Sequence, residues 1–307
     1  MIQKLDSYED FLAKRVSVQC PLADPDIFKL LSKMQSDVIA DGDGALCRYT
    51  KQFDGVGLSD SQLVVTDQAR EAAYDQVADE VVDALKRAVD NIYRYHQYQV
   101  PKDWQADHQG MTYGMQYRPL ACAGLYVPGG RAPYPSTVLM NAIPARVAGV
   151  KQLVMATPPR SDGTIHPAIL VAADLCEVDV IIGVGGAQAI FGLAYGTKSV
   201  PKVDVIVGPG NKYVTMAKQM VFGQVAIDKP AGPSEVLVYL DDERYVDFAA
   251  AELLAQLEHD PDASAVLVVT HDRLFDLVDQ AFGMQIQQCK RQTILAQSVK
   301  QAVGFVV

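Results

Sequence analysis

The chain has 307 residues, of which 49% are apolar and 21% are charged, and its formal net charge is -10. The length predicts two domains, and the balance of apolar and charged residues is typical of a folded protein rather than of a disordered chain. The acidic surface disfavours a nucleic-acid partner, and no stretch reaches the ~20 apolar residues of a membrane span. The charged N-terminus and the five scattered cysteines are typical of a reduced, cytoplasmic protein.

The N-terminal third is predicted to be mainly helical. Its first helix begins at Asp24 as N-cap and Pro25 as first helical residue, and the following positions share one apolar face: Ile27, Leu30, Leu31, Met34 and Val38. A second apolar stripe runs to Pro101 through Tyr74, Val77, Val81, Leu85, Ala88, Ile92 and Tyr93. The tyrosines at 93, 95 and 98 are expected to pack in the core rather than to stack on a ligand.

From Gly124 onward, short apolar runs alternate with helical segments, which indicates βαβ units and a parallel sheet. The predicted strands of this block are Leu153–Ala156, Val178–Ile182 and Val203–Val207. A second series is predicted to contain strands at Glu235–Tyr239, Ala265–Val269 and Gly304–Val307, with helices at about Tyr245–Glu258 and at Arg273–Phe282.

The predicted fold class is therefore α/β, with two domains that have Rossmann-like, incomplete parallel-sheet cores and a helical N-terminal segment. We assign residues 1–123 and 232–307 to a first α/β domain that includes the helical N-terminal part. Residues 124–231 are assigned to a second, Rossmann-like domain.

Three glycine-rich turns of the second domain share one design. They are Gly124-Leu-Tyr-Val-Pro-Gly-Gly130, Gly183-Val-Gly-Gly-Ala-Gln188 and Gly208-Pro-Gly-Asn211. Turns that follow parallel strands and precede helices bind nucleotides and phosphates in α/β sheets. None is a complete dinucleotide fingerprint, and Asp204 is a poor match to the acidic residue that binds ribose. The residues alone therefore leave a nucleotide site and simple tight turns equally open.

A helix end in the second series carries a possible metal site. Gln256 and His259 are spaced by one helical turn, and Pro261 ends the helix. A histidine and a glutamine make a weak zinc site by themselves, because catalytic zinc commonly has three protein ligands. Alternatively, Glu258 and Asp260 make this segment a solvated acidic helix end.

Five long motifs together resemble the histidinol dehydrogenase family. They are GLYVPGGRAPYPSTVLMNAIPARVAGV from Gly124, GGAQAIFGLAYGT from Gly185, VPKVDVIVGPGNKYV from Val200, FGQVAIDKPAGPSEVLV from Phe222 and LLAQLEHDPDASAVLV from Leu253. An early motif, DGALCRYTKQFD from Asp43 to Asp54, extends the resemblance over nearly the whole chain.

The resemblance implies an enzyme that oxidises L-histidinol to L-histidine in two NAD-dependent steps, as a homodimer with bound zinc. It implies NAD contacts for Tyr126, Gln188 and Asn211, and a substrate contact for Ser234. Gln256 and His259 match two of the four zinc ligands of the family and, through the metal, contact the substrate.

The family's Glu-His acid/base pair and its two other zinc ligands have no match up to Val307. We therefore expect this chain to lack the family's C-terminal domains and to be inactive alone. The alternatives are a non-catalytic short relative that binds a nucleotide or a protein partner, and a dehydrogenase of another amino or sulfonated alcohol.

Overall fold

The computed structural model describes residues 2–15, 25–129, 133–230, 235–259, 261 and 263–307. Four residues named above lie outside the described residues: the predicted N-cap Asp24, the last glycine of the first turn, Gly130, the predicted site residue Ser234, and Asp260 of the alternative acidic helix end. No helix within the described ranges has the length and apolar character needed to cross a membrane.

The helices of the described residues, in chain order, are α1 (Tyr8–Arg15), α2 (Pro25–Asp41), α3 (Asp43–Phe53), α4 (Asp67–Tyr74), α5 (Asp79–Gln97), α6 (Pro135–Val147), α7 (Pro167–Leu175), α8 (Gly186–Tyr195), α9 (Lys212–Val221), α10 (Val246–Leu257), α11 (Asp272–Gln285) and α12 (Gln292–Ser298). Single turns of 3-10 helix occur at Asp60–Gln62, Glu243–Tyr245, Ile286–Gln288 and Val299–Gln301.

The strands are β1 (Gln3–Lys4), β2 (Trp104–His108), β3 (Met111–Met115), β4 (Cys122–Tyr126), β5 (Gln152–Ala156), β6 (Val180–Ile182), β7 (Val205–Val207), β8 (Ala226–Ile227), β9 (Glu235–Leu240), β10 (Ser264–Val269) and β11 (Ala302–Val306). The strands predicted at Leu153, Val178 and Val203 thus correspond to β5, β6 and β7, and those predicted at Glu235, Ala265 and Gly304 correspond to β9, β10 and β11.

The chain divides into two compact units, Met1–Ala23 with Gly232–Val307, and Asp24–Ala231. The larger unit contains a parallel sheet in the order β6-β5-β4-β7-β8. The chain adds strands outward from β4 in one direction and then crosses to β7 on its other side. In doubly wound sheets this reversal opens a crevice at the carboxyl ends of the two central strands, where ligands bind.

Alternate strand residues point to opposite faces of this sheet. Because apolar side chains therefore lie on both faces, helices cover both of them. Val154 of β5 packs in a core with Leu46 of α3 and Phe191 of α8. Leu153, the preceding residue, packs in the opposite core with Leu85 of α5 and residues of α6 and α7. The N-terminal helices therefore complete both cores of the larger unit.

The predicted assignment of residues 24–123 to the first domain differs from these units and is corrected. Those residues belong to the same compact unit as residues 124–231. Their apolar faces cover the sheet, and the chain at Leu63 and Val65 extends its edge: Gly183 donates to the Leu63 carbonyl, and Val65 donates to the Ile181 carbonyl. Only the N-terminal segment up to Ala23 lies with the unit of Gly232–Val307.

The second predicted helical stripe is two helices, since α4 ends at Tyr74 and α5 begins at Asp79. No glycine or proline lies between them, so the apolar spacing did not mark the break. The prediction that the tyrosine cluster packs in the core is wrong, because Tyr98 is 92% exposed and Tyr93 and Tyr95 are exposed as well.

The smaller unit has its own parallel sheet, in the order β1-β11-β10-β9. Leu267 of β10, Leu253 of α10 and Phe282 of α11 form its core, and all three are buried. The helix predicted at about Tyr245–Glu258 is α10, preceded by the 3-10 turn, and it places Gln256 in its last turn.

Candidate functional site

The three glycine turns lie at the carboxyl ends of three strands of the same parallel sheet in the larger unit. Tyr126 is the last residue of β4, Gly183 follows β6, and Gly208 follows β7. Strands β4 and β7 are the central pair at which the strand order reverses. Gly124 itself lies inside β4, so the first turn begins at Val127 rather than at Gly124.

A cavity of about 790 Å³ at this edge brings together the three residues predicted to contact NAD: Tyr126, Gln188 and Asn211 all line it. Pockets for cofactors commonly have volumes of ~300–1,000 Å³. The backbone of Gly129 and Gly186 contributes to the same wall. The fold therefore brings residues from three separate motifs to one cavity.

Tyr126 connects the first two turns. Its side chain is buried, and its hydroxyl oxygen accepts a hydrogen bond of 3.1 Å from the Gly186 N–H. Burial raises the pKa of the Tyr126 hydroxyl to about 12. The hydroxyl therefore stays protonated at neutral pH and keeps a hydrogen that it can donate into the cavity.

Gln188 lies in the first turn of α8 and is 1% exposed. Its Nε2 is buried and has no hydrogen-bond partner. Gly186, at φ 65, approaches so closely that a Cβ there would be 2.6 Å from the Gln188 Oε1 atom. A buried amide with an unused donor costs free energy unless a ligand pairs with it, which is expected of a binding residue.

Asn211 is the N-cap of α9. Its Oδ1 accepts hydrogen bonds of 3.1 Å from the backbone N–H groups of Tyr213 and Val214. These two bonds fix the plane of the amide, and the Nδ2 group takes no part in the cap. Asn211 therefore combines a structural role for its oxygen with an amino group that a ligand can use.

Three helices begin at the cavity wall. Gly186 starts α8, Asn211 precedes α9, and His166 is the N-cap of α7. The first N–H groups of a helix have no partner within the helix and favour anions. Side chains of Asn211 and His166 cap α9 and α7, so the start of α8, which has no side-chain cap, is the one best suited to the pyrophosphate of a dinucleotide.

Several lining residues were not predicted from the sequence as site residues. Asp54 and Phe53 come from the N-terminal helical segment, and Arg160 and His166 follow β5. Desolvation raises the pKa of Asp54. Burial lowers the pKa of His166, and the nearby positive charge of Arg160 lowers it further. Phe53 and Asp54 end the quoted early motif, which could have identified them, whereas Arg160 and His166 belong to no quoted motif.

Asp204 lies at the opposite edge of the sheet. Its carboxylate accepts hydrogen bonds of 2.9 Å from the N–H groups of Ala121 and Cys122, at the start of β4. The carboxylate is thus used at the amino ends of the strands, which agrees with its poor match to a ribose-binding acid.

The two predicted zinc ligands lie in the smaller unit. Gln256 is half-buried in the last turn of α10, and its Nε2 has no hydrogen-bond partner. His259 lies beyond the helix in a turn and is exposed, and its N–H donates to the Gln256 carbonyl at 3.2 Å. The one-turn spacing of the pair is therefore kept, although His259 is not itself helical.

Among the described residues, no group of three or more histidine, cysteine, aspartate or glutamate side chains could hold a metal ion. Two donors leave the tetrahedral shell of zinc open. The described side chains do not fit a complete zinc site, and no step of chemistry is derived through zinc.

The family model described as histidinol dehydrogenase matches residues 22–307. The histidinol dehydrogenase of Methanococcus maripaludis is 46% identical over 276 residues, which are 89% of this chain and 64% of that protein. That of Lactococcus lactis is 44% identical over 283 residues, 92% of this chain and 66% of that protein. That of Synechococcus is 49% identical over 259 residues, 84% of this chain and 60% of that protein.

The fold is similar to the crystal structure of histidinol dehydrogenase from Elizabethkingia anophelis. The TM-score is 0.91 at 36% sequence identity, and the match covers 100% of this chain and 71% of that chain. The present chain spans 60% to 66% of the length of the three relatives above. The family match over nearly all of this chain decides its affiliation, and the chain belongs to the histidinol dehydrogenase family.

Proposed function

We propose that this chain supplies the NAD-binding site of a histidinol dehydrogenase, which oxidises L-histidinol to L-histidine in two NAD-dependent steps of histidine biosynthesis. The observation that carries the proposal is the cavity at the strand-order reversal, where Tyr126, Gln188 and Asn211 meet. Family membership supports the choice of cofactor and substrate.

The residues present fit a dinucleotide. The unpaired Gln188 Nε2 offers a buried donor, and the start of α8, which has no side-chain cap, offers backbone N–H groups for phosphate. Gly129 and Gly186 let the backbone approach the ligand without a side chain between them. Bound NAD supplies the acceptor for the hydride that leaves the alcohol and then the aldehyde carbon.

We propose Gln256 and His259 as two zinc ligands and substrate contacts, because a half-buried amide, whose oxygen can bind a metal ion, lies one turn from an exposed imidazole. Ser234 is proposed as a further substrate contact and lies outside the described residues. A homodimer in the cytoplasm is the proposed assembly and location.

Calorimetric titration with NAD tests the cofactor proposal directly. Tyr126→Ala removes the ring that lines the cavity and the acceptor for Gly186, and we expect it to raise the Kd for NAD by at least about tenfold, or ~1.4 kcal/mol. Tyr113→Ala, on the exposed strand β3, is the matched control and should leave the Kd unchanged. Equal affinity of the Tyr126 variant and the wild type would remove the NAD assignment.

A further inference from the structure

Lys218 is a buried cation that does not line the candidate cavity. It lies in α9 and is 2% exposed. Its Nζ donates a hydrogen bond of 2.9 Å to the carbonyl oxygen of Gly208 and forms an ion pair with Asp228 Oδ1. A buried lysine is retained at a desolvation cost, and apolar residues of similar size commonly support a core equally well.

Asp228 completes the contact with the same peptide. Its second carboxylate oxygen, Oδ2, accepts a hydrogen bond of 2.9 Å from the Gly208 N–H. The N–H and the carbonyl oxygen of Gly208 are thus both bound by one ion pair. Asp228 follows β8, so the pair connects that strand and α9 to the end of β7.

Gly208 has a backbone conformation and a close contact with Tyr126 that only glycine permits. Gly208 has φ 117, and a Cβ there would lie 2.1 Å from the Tyr126 carbonyl oxygen. Gly208 therefore packs directly on the end of β4, next to a proposed NAD contact. Three residues later the chain reaches Asn211, so any shift of the Gly208 peptide moves the start of α9.

We propose that Lys218 and Asp228 are positioning residues: their ion pair holds the turn from Gly208 to Asn211 in the conformation that binds NAD. This inference rests on the proposed NAD site. The two side chains act on the cofactor only through the Gly208 peptide, which accounts for why both of its polar groups are bound.

A second ion pair of the same unit provides a matched control. Arg146 donates to Asp179 Oδ2 at 2.8 Å and to the Lys151 carbonyl at 2.9 Å. Lys151 and Asp179 immediately precede β5 and β6, so this pair lies at the amino ends of the strands, away from the glycine turns. Loss of the Arg146–Asp179 pair should lower stability without changing the turn from Gly208 to Asn211.

The test combines NAD titration with hydrogen–deuterium exchange for Lys218→Met, Asp228→Asn, the double variant and Arg146→Met, all at a temperature where each is folded. We expect each of the first three to raise the Kd for NAD by about tenfold, with the double variant no worse than either single one. Without NAD, exchange should become faster from Gly208 to Val214 in these variants and not in Arg146→Met. Arg146→Met should keep its Kd within about twofold of the wild type.

Wild-type Kd values and unchanged exchange in folded Lys218→Met and Asp228→Asn would overturn the proposal. If Lys218→Met does not fold, Lys218→Arg keeps the charge and changes only the reach. It should bind NAD several-fold more weakly, and wild-type affinity there would equally overturn the proposal. A wild-type protein that binds no NAD contradicts the proposed function, while the exchange of residues 208–214 still tests whether the ion pair holds the turn.

Discussion

At the residue scale, the buried amide of Gln188 has an unused donor in a unit that is otherwise tightly packed. An unpaired buried polar atom lowers stability, and an apolar replacement of similar size relieves that cost. We expect Gln188→Leu to raise the free energy of unfolding by about 1 kcal/mol and to weaken NAD binding at the same time. Chemical denaturation and NAD titration of the same variant measure both effects.

Thr50→Val is the matched control for this prediction. Thr50 is also fully buried, its Oγ1 atom has no partner, and it lies in α3 rather than on the cavity wall. The variant should gain similar stability and keep its affinity for NAD. Loss of NAD affinity in Thr50→Val, or unchanged affinity in Gln188→Leu, would contradict the assignment of Gln188 to the cofactor.

Alanine substitutions at Gly208 and Gly223 allow the cost of backbone strain to be measured separately from the cost of a close contact. Both have φ in the left-handed region, at 117 and 97, but a Cβ at Gly223 meets nothing within 4 Å. Gly223→Ala should cost only strain, about 1 kcal/mol of unfolding free energy. Gly208→Ala also places a methyl group against the Tyr126 carbonyl and should cost about 3 kcal/mol or more. Equal losses of unfolding free energy in the two variants, measured in denaturant, would show that the structure moves the Tyr126 carbonyl away from the added methyl group.

The site residues differ in how far they could be predicted. Tyr126, Gln188 and Asn211 each belong to a long motif, so the resemblance to the family is enough to predict them as site residues. Arg160 and His166 carry no motif and reach the cavity only through the position of the segment after β5. Lys218 lies between two of the quoted motifs, and its contact with Gly208 depends on the fold of α9 over β7.

At the scale of elements, α7 depends on a histidine for its N-cap. The Nδ1 atom of His166 accepts a hydrogen bond of 3.2 Å from the Ala168 N–H, which requires an unprotonated nitrogen. Burial and Arg160 lower the pKa of His166 from its ordinary 6.5. The unfolded chain therefore takes up the proton first, and stability falls as the pH drops below about 6.5 toward the lowered pKa.

His166→Asn keeps a side-chain acceptor at the N-cap and removes the titration. We expect wild-type unfolding free energy, measured in urea between pH 7.5 and about 5, to fall more steeply than that of the variant. Parallel curves for the two proteins would mean that His166 binds protons equally well in the folded and unfolded states.

The strands and the hairpin show why some elements could be predicted and others could not. Strands β5, β6 and β7 are short apolar runs followed by glycine or proline, which is the pattern of buried parallel strands. The hairpin of β2 and β3 was not predicted, although Met111, Tyr113 and Met115 alternate with polar or small residues, and nearly all of both strands is exposed. Its turn is formed by Gln109 and Gly110, both with positive φ, rather than by the common Asn-Gly pair.

At the scale of the whole molecule, the sequence pattern identified two sheets but not the unit to which the N-terminal helices belong. An apolar helix face shows that a helix is covered, not what covers it. Leu46 of α3 packs against α8, where a Cβ on Gly192 would lie 3.3 Å from a Leu46 methyl carbon. Contacts of this kind, between residues far apart in sequence, decide the units.

Leu46→Ala and Leu274→Ala test this division, since both leucines are fully buried, one in each unit. Each should lower the stability of its own unit by about 2–5 kcal/mol. Hydrogen–deuterium exchange in low denaturant should show faster exchange of β4 and β5 in the first variant, and of β9 and β10 in the second. Faster exchange of β10 without change in β5 in Leu46→Ala would contradict the corrected division.

The central claim is that the three glycine turns form one NAD site. Hydrogen–deuterium exchange of the wild-type protein with and without saturating NAD tests it most directly. The account predicts slower exchange in Leu125–Gly129, Gly183–Gln188 and Gly208–Val214 together, with no change in the hairpin from Trp104 to Met115. Protection confined to other segments, or none in these three at saturation, would contradict the claim.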